Sequence, residues 1–456
     1  MNYLKEDTIA ALSTAAGKSA IAVIRLSGET SFQIINKIFK TRSKTEQQVK
    51  YGYIADEIEK KDEVLCTFFK APHTYTGENL VEIAVHGNPV IINEVLNLLY
   101  KNGARPAEPG EFTYRAFLNG KMDLTEAEAV CALITGKTEM SAKAALNSLS
   151  GEFSSRIKNI RNAIINLIAF MEVNLDHPDE DIMFLSRDEK LSRLDSYIKD
   201  VQNLLNFHKT GKILQQGIKV AIIGKPNAGK SSLLNAILGE NRAIVTDIAG
   251  TTTDTIEETI DCRGIPLTIT DTAGIRDHAE NPIELLGQEK TKETIGKADI
   301  LIWVLDASSE LDRNDAKIAD FFKKSDLNTP VIYALNKSDL PPILLSSSLE
   351  REGKIEVKIS AKTGAGISDM LDEIAKTAGI SDSKNNYLMI NSRHFMLLQN
   401  TLESLIRTKQ ALITKDADEI ACFEAVTAQT ALNEILGINV KQDILDTIFS
   451  TFCIGK

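Results

Sequence analysis

The chain is poor in the features that mark disulfide-bonded, zinc-bearing or membrane-spanning proteins. It has only 5 cysteines in 456 residues, and their spacing fits neither a disulfide framework nor a zinc site. No apolar run approaches the roughly 20 residues that a membrane-spanning helix needs. The first residues lack the basic and apolar regions of a signal or transit peptide. We therefore expect a cytoplasmic protein with no membrane partner.

Positive charge is also scarce. The chain has 52 Lys and Arg against 63 Asp and Glu, which gives a formal net charge of −11. Such a protein should not coat nucleic acid non-specifically, because phosphate binding needs local positive charge. A nucleic-acid partner would require a local basic patch or a second protein. The length predicts two to four domains with cores of their own.

One stretch is a strong phosphate-binding motif. Residues Gly224–Ser231 read GKPNAGKS, after the apolar run 218–223 and before a helical pattern that starts at Ser232. Strand, glycine loop and helix in this order predict a phosphate loop whose backbone N–H groups wrap the phosphates. In such a loop Lys230 reaches the β- and γ-phosphates, and the Ser231 hydroxyl binds Mg²⁺.

The order of strand-like and helix-like stretches along the chain predicts several domains of mixed α/β and α class. Residues 1–120 read as an α+β domain, 121–216 as helices, 217–380 as strands alternating with helices, and 381–456 as helices again. Short apolar strands separated by helices indicate a buried, mostly parallel sheet. The simplest organisation is one helical bundle with a P-loop GTPase domain inserted. Two separate small bundles are the alternative, although sixty residues would form a thin core.

Further motifs predict that the bound base is guanine and not adenine. DTAG at 271–274 and NKSD at 336–339 each follow a strand, and SAK at 360–362 follows the last one. GTT at 250–252 lies between the phosphate loop and DTAG. Asp339 can accept hydrogen bonds from N1–H and the 2-amino group, a donor pair that adenine lacks. The set predicts a GTPase domain. The predicted GTP-binding residues are Asn227, Ala228, Gly229, Lys230, Ser231, Ser232, Thr246, Asp247, Ile248, Ala249, Gly250, Thr251, Thr252, Asp271, Thr272, Ala273, Gly274, Asn336, Lys337, Asp339, Ser360, Ala361 and Lys362.

The residue that orients the attacking water is not at its usual place. Ras-like enzymes carry glutamine directly after the D-x-x-G motif, where this chain has Ile275. Another group must then position the water. The carboxylates available along 276–290 are Glu280, Glu284 and Glu289, and the residues alone do not choose among them.

Motifs outside the GTPase set carry a family resemblance over essentially the whole length. The chain resembles the MnmE (TrmE) family of bacterial tRNA-modification GTPases, and the terminal CIGK is the most family-specific feature. The stretches that carry the resemblance are 7–11 (DTIAA), 25–28 (RLSG), 75–78 (YTGE), 86–87 (HG), 109–113 (PGEFT), 115–121 (RAFLNGK) and 453–456 (CIGK).

The resemblance implies a reaction and partners. Such proteins form homodimers through the N-terminal domain and act with the flavoprotein MnmG. Together they add an aminomethyl or carboxymethylaminomethyl group to C5 of the wobble uridine of certain tRNAs. The carbon comes from 5-formyltetrahydrofolate or another folate one-carbon donor. By motif, the folate contacts would be Arg25, Glu82, Lys121 and Lys456, with Cys453 as a catalytic residue nearby.

The resemblance also implies cofactors in the nucleotide site. K⁺ replaces an arginine finger, with ligands from Asn227, Thr246, Ile248 and Thr251, while Ser231 and Thr252 bind Mg²⁺. Glu284 matches the family glutamate that orients water, and it is preferred on that ground. Thr253 and Pro282 depart from the family pattern and affect the expected switch behaviour more than the identity.

For single residues, a purely structural role is the alternative to ligand binding. Arg25 and Glu82 could form a surface ion pair, Lys121 could be a solvated charge, and Asn227 could stabilise a turn. Cys453 could be a packing cysteine, and the prenylation pattern that its position suggests is a poor match.

Two other functions remain open. One is a ribosome-assembly GTPase, although neither a repeated GTPase domain nor a basic RNA-binding appendage is evident. The other is an enzyme of unrelated folate one-carbon chemistry whose GTPase domain is regulatory.

Overall fold

The structure is a computed structural model. It describes residues 7–41, 48–176, 185–240, 257–271, 295–324, 329–344, 355–379, 387–414 and 418–456. The chain divides into two compact units. The first contains residues up to Cys131, Ser148–Val201 and Met396–Lys456, and the second contains Ala132–Asn147 and Gln202–Phe395.

The first unit is built on a seven-stranded sheet with the order β3-β4-β5-β6-β2-β1-β7. Every neighbouring pair is antiparallel except β1 and β7. The strands are β1 Thr8–Leu12, β2 Ser19–Ser27, β3 Phe39–Lys40, β4 Val49–Ala55, β5 Lys60–Phe69, β6 Leu80–Gly87 and β7 Ala104–Pro106. Period-2 alternation along β4 and β5 places one side of each strand in the core and the other in solvent.

Two helices cover the apolar face of this sheet. They are α1 Ser31–Ile38 and α2 Pro89–Lys101. The side chain of Asn88 caps α2 by accepting a hydrogen bond from Val90 N at 3.0 Å, and Pro89 occupies the first turn, where no N–H is needed. Ile35 and Val95 are fully buried against the strands. The predicted α+β character of this region is confirmed.

Long helices follow the sheet. They are α3 Glu111–Leu118, α4 Leu124–Thr135, α5 Glu139–Leu149, α6 Glu152–Asp176 and α7 Arg187–Gln216. A capping box starts α4, because Glu126 Oε2 accepts from Asp123 N at 2.8 Å and Asp123 Oδ1 accepts from Glu126 N at 3.2 Å.

The C-terminal helices return to the earlier ones. The structure places α11 Ser392–Thr414, α12 Asp418–Leu436 and α13 Gln442–Ser450 after the nucleotide domain. Helix α12 packs along α6, and its buried face carries Ala421, Ala425 and Ala428 at helical spacing. Small side chains at these positions allow close approach of the two helices. The helical segments on either side of the nucleotide domain therefore pack together.

The second unit holds a six-stranded sheet with the order β13-β12-β11-β8-β10-β9. All pairs are parallel except β9 with β10, as the sequence predicts for this region. The strands are β8 Ile218–Ile223, β9 Glu257–Cys262, β10 Ile265–Asp271, β11 Ile300–Asp306, β12 Val331–Asn336 and β13 Ile355–Lys358. The helices described on this sheet are α8 Lys230–Glu240, α9 Arg313–Lys324 and α10 Ile367–Thr377.

Strand β9, at the edge of the sheet, lacks the short apolar pattern from which the buried strands are predicted. Its sequence EETIDC is acidic, and Ile260 and Cys262 reach the core. Arg263 and Gly264 connect it to β10 with φ of 54° and 85°, as a two-residue hairpin turn requires. The structure contains no helix long and apolar enough to cross a membrane within the residues it describes.

Candidate functional sites

The phosphate loop lies between β8 and α8, the context that its motif requires. Asn227 and Gly229 adopt positive φ of 61° and 99°. A Cβ on Gly229 would overlap Asn336 Nδ2, and a Cβ on Gly224 would lie 2.6 Å from Val304 O. Both glycines are therefore required by close packing under the loop. The motif therefore forms a tight loop that leads into the N-terminus of α8, a position suited to binding phosphate.

The loop lysine is oriented by the loop itself. Lys230 Nζ donates to Gly224 O and to Lys225 O, each at 3.0 Å. These carbonyls already hold the ammonium group at the loop. The Lys230 side chain therefore loses little further freedom when it binds a phosphate. Ser231 follows on α8 with an exposed side chain, as a hydroxyl must be to bind a metal ion beside the nucleotide.

The NKSD motif is connected to the phosphate loop through Asn336. Its Nδ2 donates to Ala228 O at 2.8 Å, and its Oδ1 accepts from Ala361 N at 2.9 Å. Asn336 is buried at the end of β12. One side chain thus links the phosphate loop, the base motif and the SAK motif, three segments that are far apart in sequence.

Asp339 has the properties of a base-reading carboxylate. Its side chain is exposed, and Ser360 Oγ donates to Asp339 Oδ1 at 2.7 Å. This hydrogen bond and the nearby Lys362 and Lys337 lower the pKa of Asp339. The carboxylate is therefore an ionised acceptor at neutral pH, as recognition of two guanine N–H groups requires.

Asp306 belongs to this site and was missed from the sequence. It ends β11 beside Asn336 of β12, and its Oδ2 lies 2.5 Å from Lys337 Nζ. Burial opposes the ionised form, but Lys337 and Ser308 lower the pKa of Asp306. Lys337 has a positive φ of 65°, and the ion pair holds its side chain in place. The final Asp of the strand ILIWVLD was the available signal.

Part of the predicted nucleotide site lies outside the described residues. This holds for Thr246, Asp247, Ile248, Ala249, Gly250, Thr251, Thr252, Thr272, Ala273, Gly274 and Glu284, as well as for Thr253 and Pro282. Asp271 ends β10 in register with Ile222 of β8. Its backbone therefore lies at the sheet edge from which the phosphate loop starts.

A second site lies in the first unit, on β2 and β6. Arg25 and Glu82 are direct cross-strand partners, and Glu82 Oε1 accepts from Arg25 Nε at 3.1 Å and from Nη2 at 2.8 Å. The Arg25 guanidinium also lies over the rings of Tyr75 and Phe112, at 5.1 and 5.7 Å from their centroids. Its Nη1 is buried without a hydrogen-bond partner in the described chain. A buried unmatched donor is costly, so this site is suited to an acceptor from a ligand.

The terminal CIGK packs against the same region. Phe112 N donates to Lys456 O at 3.2 Å, and Gly110 N donates to Cys453 O at 3.3 Å. Gly455 has φ of 91°, and a Cβ there would overlap Leu12 O. Burial and the nearby Arg25 lower the pKa of Lys456. The tail therefore brings a cation to Arg25 and Glu82.

The two remaining predicted residues of this site are Lys121, which contacts the loop before Tyr75, and Cys453, which lies on the C-terminal tail. Lys121 Nζ donates to Pro72 O at 3.1 Å, on the loop that leads to Tyr75. The Cys453 side chain is exposed. In the described ranges no group of three or more His, Cys, Asp or Glu could hold a metal ion.

Sequence reasoning did not find the ion cluster beneath this site. Arg115 is fully buried, although it stands in the RAFLNGK stretch. It contacts Glu111 at 2.9 Å, Glu78 at 3.1 Å and Asp7 at 2.5 Å. The three carboxylates belong to stretches that carry the family resemblance, but only the fold shows that they converge on one guanidinium.

The fold and the site define a class of protein. A phosphate loop joined through Asn336 to a guanine-type base motif, on a mostly parallel sheet, is the nucleotide-binding domain of a P-loop GTPase. Two family descriptions match the chain: "GTP-binding protein TrmE N-terminus" over residues 8–121 and "MnmE helical domain" over 124–453. The chain belongs to the MnmE (TrmE) family.

Full-length relatives agree with this assignment. A protein of Endomicrobium trichonymphae named "tRNA modification GTPase MnmE" is 83% identical over 456 residues, with 100% of both chains covered. Proteins of the same name from Aquifex aeolicus and Thermotoga maritima are 43% and 41% identical, covering 99% of this chain and 100% of each relative. The solved G domain of the T. maritima FeoB iron transporter matches 35% of this chain and 98% of its own, at 22% identity and a TM-score of 0.25. That likeness is too low to add to the assignment.

Proposed function

We propose that the protein hydrolyses GTP and acts in tRNA modification. The observation that carries the first part is the connected pair of phosphate loop and base motif, with Asp339 ionised and exposed. Full-length relatives named as tRNA-modification GTPases support the second part. The finer proposal is addition of an aminomethyl or carboxymethylaminomethyl group to C5 of the wobble uridine, together with the flavoprotein MnmG.

Nucleoside analysis of tRNA from a deletion strain tests the role in modification. Unmodified wobble uridine that is restored by the intact gene is the expected result. Unchanged nucleosides combined with defective ribosomal subunits would instead support the ribosome-assembly alternative. GTP turnover by the purified protein, with ATP as the control substrate, tests the hydrolase activity separately.

Within the nucleotide site, we propose that the residues predicted from the sequence keep their roles. Lys230, Asn336, Lys337, Asp339, Ser360, Ala361 and Lys362 bind GTP with the other predicted residues, Ser231 and Thr252 bind Mg²⁺, and Glu284 orients the attacking water. The preformed loop and the exposed Ser231 support this assignment. The metal ion would stabilise negative charge on the phosphates, while Lys230 holds a positive charge at the loop.

We also propose a K⁺ site at the phosphate loop, with ligands from Asn227, Thr246, Ile248 and Thr251. Asn227 supports the proposal because its side chain is exposed at a left-handed position and makes no hydrogen bond to the described residues. Its amide oxygen fits a hard monovalent cation. Comparing turnover in KCl and NaCl at equal ionic strength, for wild type and Asn227→Ala, tests it. Equal rates in the two salts for the wild type would refute the site.

For the first unit we propose a folate one-carbon donor, bound by Arg25, Glu82, Lys121 and Lys456, with Cys453 taking part in catalysis. Arg25 Nη1 is buried without a hydrogen bond to the described residues, which supports this proposal because a folate supplies carboxylate and ring acceptors. Tyr75 and Phe112 would provide apolar walls beside the guanidinium.

Calorimetric titration with 5-formyltetrahydrofolate tests the site. Arg25→Met should abolish binding, and Arg156→Met, which removes an exposed arginine of α6, is the matched control. Binding that survives Arg25→Met would refute the placement.

We propose that the protein is a homodimer formed through the N-terminal domain. Supporting this, β4 and β5 expose apolar side chains at adjacent positions: Tyr51 is 61% exposed and pairs directly with Leu65, which is 46% exposed. Val49 and Tyr53 extend the same face of β4. A contiguous apolar face of this kind marks an interaction surface. Sedimentation should show a dimer for the wild type and a monomer for Leu65→Glu; a dimer in both would refute this surface.

The proposed domain ranges are those predicted from the sequence. They are 1–120 for the folate-binding and dimerisation domain, 121–216 and 381–456 for the two parts of the helical domain, and 217–380 for the GTPase domain.

A further inference from the structure

The second residue of the phosphate loop is held by two acidic side chains. Lys225 Nζ lies 2.7 Å from Asp315 Oδ2 and 3.1 Å from Asp312 Oδ2, where helix α9 begins. The Lys225 side chain is only 12% exposed and that of Asp315 only 2%. Carboxylates therefore neutralise the charge of Lys225.

Asp315 depends on this lysine. Its Oδ2 also accepts from Asp312 N at 3.1 Å, but its Oδ1 is buried and makes no hydrogen bond within the described residues. A buried carboxylate without a cation is strongly unfavourable. Although burial opposes the charged form, the hydrogen bonds to Asp315 and Asp312 raise the pKa of Lys225. The ammonium is therefore retained at neutral pH, and the side chain is fixed.

The backbone of the same residue supports the phosphate-binding lysine. Lys225 O accepts from Lys230 Nζ at 3.0 Å and from Ala228 N at 3.3 Å. Hence the carbonyl that orients the Lys230 ammonium belongs to a residue whose side chain is anchored on α9. A displacement of Lys225 would move this carbonyl and misalign Lys230.

We propose that Lys225 is a positioning residue, whose ion pairs with Asp315 and Asp312 anchor the phosphate loop to α9 and so hold Lys230 in place for the nucleotide phosphates. This inference rests on the proposed GTP-binding function. It assigns to Lys225 no direct contact with the nucleotide. Its effect should therefore fall on binding of the β-phosphate and leave recognition of the base intact.

The test compares GDP with GMP, which lacks the β-phosphate. Dissociation constants of both are measured by competition with a fluorescent GDP, and their ratio, Kd(GMP)/Kd(GDP), reports the contribution of the β-phosphate. For Lys225→Met we expect this ratio to fall about tenfold, the equivalent of about 1.4 kcal/mol. Lys225→Arg, which keeps the charge, should recover most of the loss.

Control variants separate positioning from stability. Lys376→Met removes a lysine from an exposed ion pair with Glu373 on α10 and should leave the ratio unchanged. If Lys225→Met unfolds, Asp312→Asn removes only the more exposed carboxylate, and it should lower the ratio in the same direction by a smaller factor. Melting temperatures without nucleotide confirm that each variant is folded.

Two results would overturn the inference. In the first, Lys225→Met weakens GDP and GMP by the same factor, as a purely structural role predicts. In the second, neither affinity changes. If the wild-type protein bound neither nucleotide, the proposed GTP-binding function would fail, and that result is distinct from both.

Discussion

Replacing Arg115 by methionine should destabilise the N-terminal sheet domain strongly. The substitution keeps much of the side-chain volume but removes the only guanidinium that contacts Glu111, Glu78 and Asp7 together in the described residues. Arg115 is fully buried, and the side chains of Glu111 and Glu78 are 3% and 13% exposed. The carboxylates would be left without their shared cation in an environment that solvates them poorly.

The expected magnitude follows from this burial. Breaking a buried ion pair by removing one partner costs about 3–5 kcal/mol. Arg105 also contacts Glu111 and Asp7 and would still neutralise part of their charge. We therefore expect a loss near the lower end of that range, about 3 kcal/mol. For a cooperative unit as large as the first one, each kcal/mol lowers the melting temperature by roughly 2–4 °C. We expect a decrease of roughly 6–12 °C.

The assay is thermal and denaturant unfolding of the full chain, followed by a probe in the N-terminal domain because several domains need not unfold together. Arg156→Met is the matched control. Arg156 forms an (i, i+4) pair with Glu152 on α6, with side chains 36% and 32% exposed, and exposed pairs contribute about 0–1 kcal/mol. Equal effects of the two substitutions would refute the reasoning that burial makes the Arg115 cluster important.

Three further results are expected. Asp339→Asn should weaken GDP binding at least about a hundredfold in fluorescent titrations, because two hydrogen bonds to a charged acceptor contribute about 1.5–3 kcal/mol each; an unchanged affinity would contradict the base assignment. Asn336→Ala should weaken GDP by roughly tenfold or more, since it removes the bonds to Ala228 and Ala361; unaltered binding would show that the link is dispensable. The third result concerns Glu111. Burial opposes ionisation of this carboxyl group, but Arg105, Glu108 N and Arg115 lower its pKa. Its stabilising contribution is thus complete above about pH 4.3 and disappears as the pH falls through the folded-state pKa. The difference in denaturation midpoint between wild type and Glu111→Gln should shrink below pH 4, and a constant difference would contradict this sign.

The sheet of the nucleotide domain was predictable because its signal is local. Strands such as ILIWVLD are apolar on both faces, as burial between helices requires. Strand β9 was not predicted, because this acidic edge strand has a low apolar content, with Ile260 and Cys262 as its core residues. Strand β4 was missed in the same way: its alternating pattern is interrupted by Gly52, and its exposed face carries Tyr51 and Tyr53.

The motifs of the proposed nucleotide site could be recognised in the sequence to a similar degree. Each motif at a strand end has its own pattern of residue types, so Lys230, Asn336 and Asp339 could be named from the sequence. Their connections could not. That Asn336 links two loops, or that Asp306 holds Lys337, depends on strands β11 and β12 being neighbours in the sheet.

Short-range patterns in the sequence were enough to identify the class of domain, the family and the residues proposed to read guanine, because glycine spacing, strand ends and short motifs act over a few residues. Which charges are neutralised and which remain available depends on the tertiary structure. Lys225 and Arg115 both pair with carboxylates that are distant in the chain, and Arg115 is fully buried. Arg25 is paired as well, but one of its donors is buried without a hydrogen bond to the described residues. Whether a charge binds a ligand or supports the fold depends on its desolvation and its neighbours, and both arise only when distant segments pack together.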